Sequence, residues 1–325
     1  MMQGAFLMNG GEIRNCTGEN GGAVYITGVD TENTTFTMNG GSILQSTADY
    51  NGGALYIENG VVTLKGGIIQ ENLAKMGNGG AICIQGGNFY MPEGSTARIV
   101  NNAAYSNNTV GRGSGGGVFV TSKSNDGDQN TVTVDILSGT IQQNTSDRYG
   151  GGLSVDMTGL DNVEASVTVG IPEGKTNQNP LITENRASLL GGGLYVKGEN
   201  SNIVINDGMI MDNLIAGYAA NENVANEGGM VTLNGGNVTH VVVTYMPNGG
   251  NITLNKESVA SVSQKIVTAT NSKMVVPGTF SRTGWHIVAW HTRQDGNDSR
   301  GTRYPLDAVL NLDTNITLYA QWEEN

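Results

Sequence analysis

The chain has 325 residues, of which 49 are glycine and only 6 are proline; this composition excludes collagen and a proline-rich linker and suits a fold that turns often. The formal net charge is −12, and the 17 lysine and arginine residues form no basic run, which argues against nucleic acid and anionic membranes as partners. Two cysteines are too few for a disulfide framework, and no apolar run reaches the roughly 18 residues of a membrane span.

The start of the chain and its surface composition indicate where the protein works. Residues 1–11 lack the basic segment followed by an apolar segment that marks a signal peptide. Only 14% of the residues are charged, so Asn, Thr, Ser and Gly must cover much of the surface, as is common outside the cell. We therefore expect an extracellular protein of the bacterial cell surface, whose export signal and anchor lie outside this sequence and which inserts no segment into a membrane.

A pair of glycines followed by a short apolar alternation recurs along the chain. Clear copies are Gly-Gly-Ala-Val-Tyr-Ile at 21–26 and Gly-Gly-Ala-Leu-Tyr-Ile at 52–57. The copies begin at Gly21, Gly52, Gly79, Gly116, Gly151, Gly192 and Gly228. Their spacing varies from 27 to 41 residues, which fits a repeated coil of constant core with one corner that accepts loops of different length.

Two further segments accompany each glycine pair. One is Ile-x-x-Asn, and its last position is occupied in successive repeats by Cys16, Ser46, Asn72, Asn102, Asn144, Asn185 and Asn213. The other alternates in polarity before a glycine, as at 36–41 and 62–67. Three alternating segments per repeat predict a coil with three faces. The predicted fold class is therefore all-β: a right-handed parallel β-helix of about seven coils over residues 1–240.

The inward slots of the glycine-pair strand are uniformly aliphatic. They are Val24 and Ile26, Leu55 and Ile57, Ile82 and Ile84, Val118 and Val120, Leu153 and Val155, Leu194 and Val196, and Val231 and Leu233. An amide in the Asn slot can satisfy the backbone of a turn and bond to the equivalent Asn above and below, while paired glycines allow positive φ at a tight corner. Cys16 falls in an inward slot and Cys83 in an outward one, so we expect no disulfide between them.

The alternation of these two motifs has a counterpart among known families. The Gly-Gly-Ala-Ile motif at 79–82 and the Ile-x-x-Asn motif at 69–72 resemble the repeats of chlamydial polymorphic outer-membrane proteins. They also resemble the wider group of bacterial β-helix adhesins that are related in fold to pectate lyases. The second motif begins with Ile where the chlamydial pattern has Phe. The resemblance covers residues 5–240 and implies a rod that displays a binding surface.

The composition changes after residue 240, where the glycine pairs thin out and all three tryptophans occur. The segments at 243–250, 284–292 and 315–322 resemble the Listeria–Bacteroides repeat domain, with Trp285 in place of the usual Tyr and an insert of about 20 residues after Gly250. The resemblance implies a small β-grasp-like module over residues 241–325, with tryptophans in its core. It implies a stalk or spacer and offers no catalytic residue.

The outward slots of the glycine-pair strand are the candidate binding site. In successive repeats they hold Tyr25, Tyr56, Cys83, Phe119, Ser154, Tyr195 and Thr232. We predict that the aromatic members, Tyr25, Tyr56, Phe119 and Tyr195, bind a glycan or a host or bacterial surface protein, because flat rings suit the C–H faces of sugars and protein partners. The alternative is that these rings stack on one another for stability or lie under the loops.

A polysaccharide lyase or glycoside hydrolase on the same fold is the alternative function, with a groove lined by the loops at 104–115, 121–130 and 156–165. Glu58 and Asp156 lie three coils apart, about 14 Å at the spacing of paired strands, which exceeds the roughly 6.5–9.5 Å of an inverting carboxylate pair. Asp147 with Asp156 is the best remaining acid pair. We therefore predict no catalytic residue.

We also predict no cofactor and no metal site. The acidic loops at 126–128 and 295–298 are the candidates for calcium, but neither has the full EF-hand pattern. His286 and His291 do not by themselves have the spacing of a metal site. Asp156 and Lys197 occupy equivalent slots of adjacent coils, where we expect an exposed ion pair.

Overall fold

The computed structural model divides the chain into two compact units, Met1–Val238 and Thr239–Asn325. The residues it describes are 4–28, 34–107, 109, 111–122, 131–160, 163–171, 179–216, 223–238, 240–254, 256–267, 272–274, 276–310, 312 and 315–325. These residues contain strands and turns and no α-helix. Among the described residues there is accordingly no helix that could span a membrane.

The first unit is a parallel β-helix, as the sequence predicts. Its described residues form four sheets, and within each sheet all the strands are parallel and follow one another coil by coil. Every coil contributes one strand to each sheet. The coil therefore has four faces and not the predicted three, because a two-residue strand follows the Asn slot and forms a sheet of its own.

We name the sheets A to D in the order in which the chain passes through them. Sheet A consists of Ala5–Met8, Thr35–Met38, Val61–Leu64, Asn88–Met91, Val132–Ile136, Ala165–Val169, Ser201–Ile205 and Met230–Leu233. Sheet B consists of Glu12–Arg14, Ser42–Leu44, Ile68–Gln70, Arg98–Val100, Thr140–Gln142, Leu181–Thr183 and Met209–Met211. Sheet C consists of Thr17–Gly18, Thr47–Ala48, Leu73–Ala74, Ala103–Ala104, Thr145–Ser146, Arg186–Ala187 and Leu214–Ile215. Sheet D consists of Val24–Ile26, Leu55–Ile57, Ile82–Ile84, Val118–Val120, Leu153–Asp156, Leu194–Lys197 and Val224–Glu227.

The core is a stack of equivalent side chains from successive coils. Sheet B supplies one isoleucine per coil, and the fully buried ones are Ile43, Ile69, Ile99, Ile141, Ile182 and Ile210. Sheet C supplies mostly small residues, as at Ala48 and Ala104, which leaves room for the larger side chains of the facing sheets. The predicted aliphatic pairs of sheet D are buried from the second coil to the sixth. Repetition of size and shape in each slot lets every coil pack on its neighbours.

The seventh predicted copy of the glycine-pair strand is wrong. The sheet D strand of that coil is Val224–Glu227, which pairs with Leu194–Lys197. Gly228 and Gly229 follow this strand, and the segment Met230–Leu233 after them belongs to sheet A. Thr232 therefore lies outside the predicted aromatic row. The glycine pair alone does not identify its sheet, because a tight turn between sheets D and A also uses glycine.

The Asn slot forms a continuous ladder of side-chain amides inside the coils. The Nδ2 of Asn102 donates to Asn144 Oδ1 at 2.9 Å, and Asn144 repeats the contact with Asn185 at 3.0 Å. Each amide also donates to a backbone carbonyl of the preceding coil, as Asn102 does to Ile69. The residue before each ladder position has a φ of 51–57°, although it is never glycine. The predicted ladder is thus confirmed, and it satisfies the backbone of a left-handed corner.

A second and shorter ladder, which the sequence analysis did not predict, lies just before the glycine pairs. The backbone amide of Asn78 donates to Asn51 Oδ1 at 2.9 Å, and the amide of Asn51 donates to Asn20 Oδ1 at 3.1 Å. Ser114 continues the row by donating its amide to Asn78 Oδ1. The left-handed glycine that follows each position has a φ of 62–73° from the first to the sixth coil.

The second unit is a small all-β module. Its strands are His240–Met246, Asn251–Leu254, Glu257–Val259, Val262–Val267, Ser272–Lys273, Thr279–Ser281, Trp285–His291, Arg303–Tyr304, Val309–Leu310 and Ile316–Glu324. The first and last of these strands are parallel neighbours in a mixed sheet. Trp290 is buried in the core and contacts the rings of Tyr245 and Phe280 edge to face, at centroid distances of 5.0 and 5.1 Å.

Candidate functional site

The structure places the predicted aromatic residues in one row along sheet D. Strand pairing aligns Tyr25 with Tyr56, then with Cys83 and Phe119 in the next two coils. The row continues through Ser154 to Tyr195 and ends at Ala225, not at the predicted Thr232. Outward slots of neighbouring coils lie about 4.8 Å apart, which is close enough for large side chains of adjacent coils to touch.

Most of this row is covered. Tyr25 is 47% exposed, whereas Tyr56, Phe119 and Tyr195 are 5%, 7% and 0% exposed. The ring of Tyr25 stacks on that of Tyr56 at 5.1 Å, and Tyr195 stacks on Tyr149 at 4.4 Å. Tyr56 and Phe119 also form a small apolar cluster with Cys83. Only Tyr25 of the four predicted residues offers much ring surface to a partner, and ligand binding by the row stays a prediction.

The tyrosine hydroxyls form hydrogen bonds between successive coils. Tyr25 donates to Glu58 and Tyr195 to Glu227, in each case to a side chain of the next coil. Tyr56 donates to Gln85 in the same way. Burial raises the pKa of Tyr56 and Tyr195, and the hydrogen bond to Glu227 raises that of Tyr195 further. These phenols therefore stay protonated and act as hydrogen-bond donors, not as general bases.

The acids considered for catalysis are used structurally. Asp156 and Lys197 are register neighbours, as predicted, but Asp156 Oδ1 accepts from the backbone amide of Thr158 at 3.0 Å. Asp147 Oδ2 accepts from the backbone amide of Ser106 at 2.9 Å. Asp147 thus stabilises the backbone at Ser106, and Asp156 stabilises the turn that contains Thr158.

Of the two loops considered for calcium, only the one at 295–298 can be assessed in the structure. Asp295 binds the guanidinium groups of Arg293 and Arg300 at 3.2 and 3.0 Å, and the hydrogen bond from Arg293 lowers the pKa of this carboxyl. The loop at 126–128 lies outside the described residues. His286 and His291 share the strand Trp285–His291, where His291 is buried and its Nε2 lies 3.3 Å from Asp298 Oδ1. The described residues contain no group of three His, Cys, Asp or Glu side chains placed to hold a metal ion.

A second exterior row, which the sequence analysis did not single out, follows sheet C. It consists of the first residue after each sheet C strand, namely Glu19, Asp49, Lys75, Tyr105, Asp147, Ser188 and Ala216. Backbone hydrogen bonds keep the row in register, since Lys75, Tyr105 and Asp147 each donate to the residue before the row in the preceding coil. Its signal is present in the sequence, because each member lies three residues after a ladder position.

The middle of this row borders a surface cleft of about 450 Å³. Its lining residues are Lys75, Met76, Tyr105, Asn107 and Asp147. Tyr105 is 43% exposed, and it stands between a cation on one neighbouring coil and a carboxylate on the other. The cleft volume falls within the range of roughly 300–1,000 Å³ that is common for small-molecule sites.

A scan against protein-family models finds no match for this chain, and searches of curated proteins and of solved structures find none either. The fold and its exterior rows therefore define the class of protein: a parallel β-helix repeat protein, followed by a separate small β-sheet unit.

Proposed function

We propose that this chain is part of a secreted or cell-surface bacterial protein of the adhesin type. In this proposal the β-helix displays a face that binds a glycan or a host or bacterial surface protein, and the second unit is a spacer of the Listeria–Bacteroides type. Neither catalysis nor a cofactor is part of it.

One observation carries the binding role. Tyr25 is a half-exposed ring that is held in place from two sides, by stacking on Tyr56 and by the hydrogen bond of its hydroxyl to Glu58. A ring that is already ordered loses little conformational entropy when a partner packs on its free surface. Aromatic rings with one polar end are common contact residues at interfaces.

Contacts within the second unit support the spacer role. The Nδ2 of Asn248 donates to the carbonyl of Ala320 at 2.9 Å, and the indole of Trp322 donates to the carbonyl of Pro247 at 2.8 Å. A Cβ at Gly250 would lie 2.4 Å from the ring of Trp322. The opening and closing motifs that carry the resemblance therefore pack against each other. Their aromatic residues serve this packing.

The first test compares binding by the wild-type protein and by Tyr25→Ala on arrays of immobilised glycans and of host and bacterial surface proteins. We expect binding to at least one class, and a loss of about tenfold or more in Tyr25→Ala, because the exposed ring is the contact surface. Tyr25→Phe keeps the ring and should retain most of the binding.

Absence of binding on both arrays would contradict the proposed function. Equal binding by wild type and Tyr25→Ala would remove this end of the aromatic row as the contact surface. Changes at Tyr56 or Phe119 are unsuitable for this test, because both side chains are buried and their truncation would destabilise the coil.

A further inference from the structure

We propose that the cleft between Lys75, Tyr105 and Asp147 binds one uncharged pyranose ring of a glycan. This inference rests on the proposed binding function and specifies a site and a ligand class for it. The site is separate from the aromatic row of sheet D, since its side chains follow sheet C and come from different slots of the coil.

The spacing of the row matches one sugar ring. Lys75, Tyr105 and Asp147 occupy the same slot of three successive coils, so the outer two lie about 10 Å apart with the tyrosine between them. A pyranose stacked on the exposed ring of Tyr105 would therefore have polar groups at both of its edges. Its apolar C–H face would cover the aromatic surface, which is the arrangement that such a face favours.

Contacts of Arg112 and Gly113 hold the backbone that lies next to the cleft. The guanidinium of Arg112 lies over the ring of Tyr50 at 4.9 Å and donates to the carbonyl of Met76 at 3.0 Å. The amide of Gly113 donates to Gly77 at 3.1 Å. Gly113 has a φ of 86°, and a Cβ there would lie 2.8 Å from the backbone nitrogen of Ser106. The backbone next to the cleft is thus fixed by contacts within the chain, which limits the entropy lost on binding.

The polar groups at the two edges can meet hydroxyl groups. Asp147 uses Oδ2 to accept from the backbone and hydroxyl of Ser106 at 2.9 and 3.3 Å, and its Oδ1 accepts from none of the described residues. Lys75 binds Asp49 at 3.1 Å, and two of its three protons remain to be donated. A sugar offers both donors and acceptors, so each edge finds a partner.

Charge decides in favour of an uncharged sugar. Lys75 and Arg112 are the described cations beside the cleft, and the carboxylates of Asp49 and Asp147 balance their charges. The chain as a whole carries a net charge of −12. Lys75 is paired with Asp49 and Arg112 lies over the ring of Tyr50, so a sialylated or uronic-acid glycan gains no net attraction at the cleft and is repelled by the charge of the whole chain.

The test measures binding of β-linked trisaccharides of glucose, galactose and N-acetylglucosamine by calorimetry and by saturation-transfer NMR, with sialyllactose as the charged comparison. We expect at least one neutral trisaccharide to bind the wild-type protein and sialyllactose not to bind.

Tyr105→Ala should weaken the binding about tenfold or more, and Tyr105→Phe should keep it within about threefold. Ser188→Ala, in the same row one coil beyond Asp147, is the matched control and should bind as the wild type does. Asp147→Asn, which keeps the side chain's shape, should weaken binding without changing the far-UV spectrum.

The outcomes separate this inference from the proposed function. If a neutral trisaccharide binds the wild type and Tyr105→Ala equally well, the cleft is not the site, while a glycan-binding protein remains. If only sialyllactose or a surface protein on the arrays binds, the neutral-sugar site is overturned and the adhesin-type function stands. If nothing binds, both fall.

Discussion

Each asparagine of the ladder satisfies several buried hydrogen-bonding groups at once. The Nδ2 of Asn102 lies 2.9 Å from Asn144 Oδ1 and 3.0 and 3.1 Å from the carbonyl oxygens of Ile69 and Val100, so its two protons are shared among three acceptors. Its Oδ1 accepts from the backbone amide and from the side chain of Asn72, both at 2.9 Å. One side chain thus serves three coils, and all of its partner residues are buried.

Replacement of Asn102 by Ala should lower the free energy of unfolding by about 2–5 kcal/mol, because buried donors and acceptors on both neighbouring coils lose their partner. The preceding residue provides the control. Asn101 is exposed and left-handed, with a φ of 56°, and glycine tolerates that conformation. Asn101→Gly should change the stability by less than about 1 kcal/mol. Urea denaturation followed by circular dichroism measures both values, and equal losses would contradict the ladder's role.

Sequence reasoning identified this ladder because its residues recur at one slot and few other arrangements use a buried Asn in every coil. It did not identify the left-handed residues before the ladder, since Gln45, Glu71 and Glu184 show no preference for that conformation by themselves. The buried amide that follows them holds the corner in place. The cause is therefore a contact between coils and not a local propensity.

At the scale of the strand and its turn, the glycine two residues before each sheet D strand is required for lack of space in the first six coils. A Cβ on Gly53 would lie 2.1 Å from the carbonyl oxygen of Gly80 and 2.6 Å from the carbonyl carbon of Leu73. Both atoms are backbone, so a rotamer change cannot relieve the contact. The paired glycines therefore permit successive coils to stack at the spacing of parallel strands.

Gly53→Ala should cost about 3 kcal/mol or more, because the coils would have to separate to admit the methyl group. Gly10→Ala is the matched comparison, since nothing lies within 4 Å of a Cβ at Gly10. It should leave the stability within about 1 kcal/mol of the wild type. Thermal denaturation of the two variants checks the difference, and similar melting temperatures would show that the corner is looser than its geometry indicates.

The strands of sheets A, B and D were predictable because each lies in a repeated motif: the segment before a glycine, the Ile-x-x-Asn segment, and the apolar segment after a glycine pair. The two-residue strands of sheet C were not, since two residues show no period. The strand at residues 230–233 was assigned to the wrong sheet because its local pattern is also ambiguous. Its glycines and its alternation are compatible with sheet A or sheet D, and only pairing with the Ser201–Ile205 strand decides between them.

Across the whole molecule, buried phenols make stability depend on alkaline pH. Burial raises the pKa of Tyr56 and Tyr195 in the β-helix and of Tyr245 in the second unit. The folded state thus holds these protons more tightly than the unfolded chain, in which tyrosine has a pKa of about 10. Their contribution to stability is complete below about pH 10 and is lost as the pH rises above it.

The free energy of unfolding should therefore fall between pH 10 and 12, by up to about 1.4 kcal/mol per pH unit for each such tyrosine. A Tyr56→Phe and Tyr195→Phe double variant should show a shallower fall. Phe119→Leu, in the same row but without a phenol, should lower stability while leaving the pH slope unchanged. Denaturation at several pH values measures the slopes, and identical slopes in the wild type and the double variant would contradict this assignment.

The sequence by itself determined which residues fill the inside of the coil, because each inward slot repeats the same kind of side chain and a period of two sorts inside from outside. Only the tertiary structure decided which outward residues are available to a partner. Tyr25 and Tyr195 occupy the same outward slot, yet one is half exposed and the other is covered. Exposure depends on neighbouring coils and on turns of unequal length, and the cleft beside Tyr105 joins residues from three coils. The repeat shows which residues share a slot, but contacts between residues dozens of positions apart decide which of them are exposed.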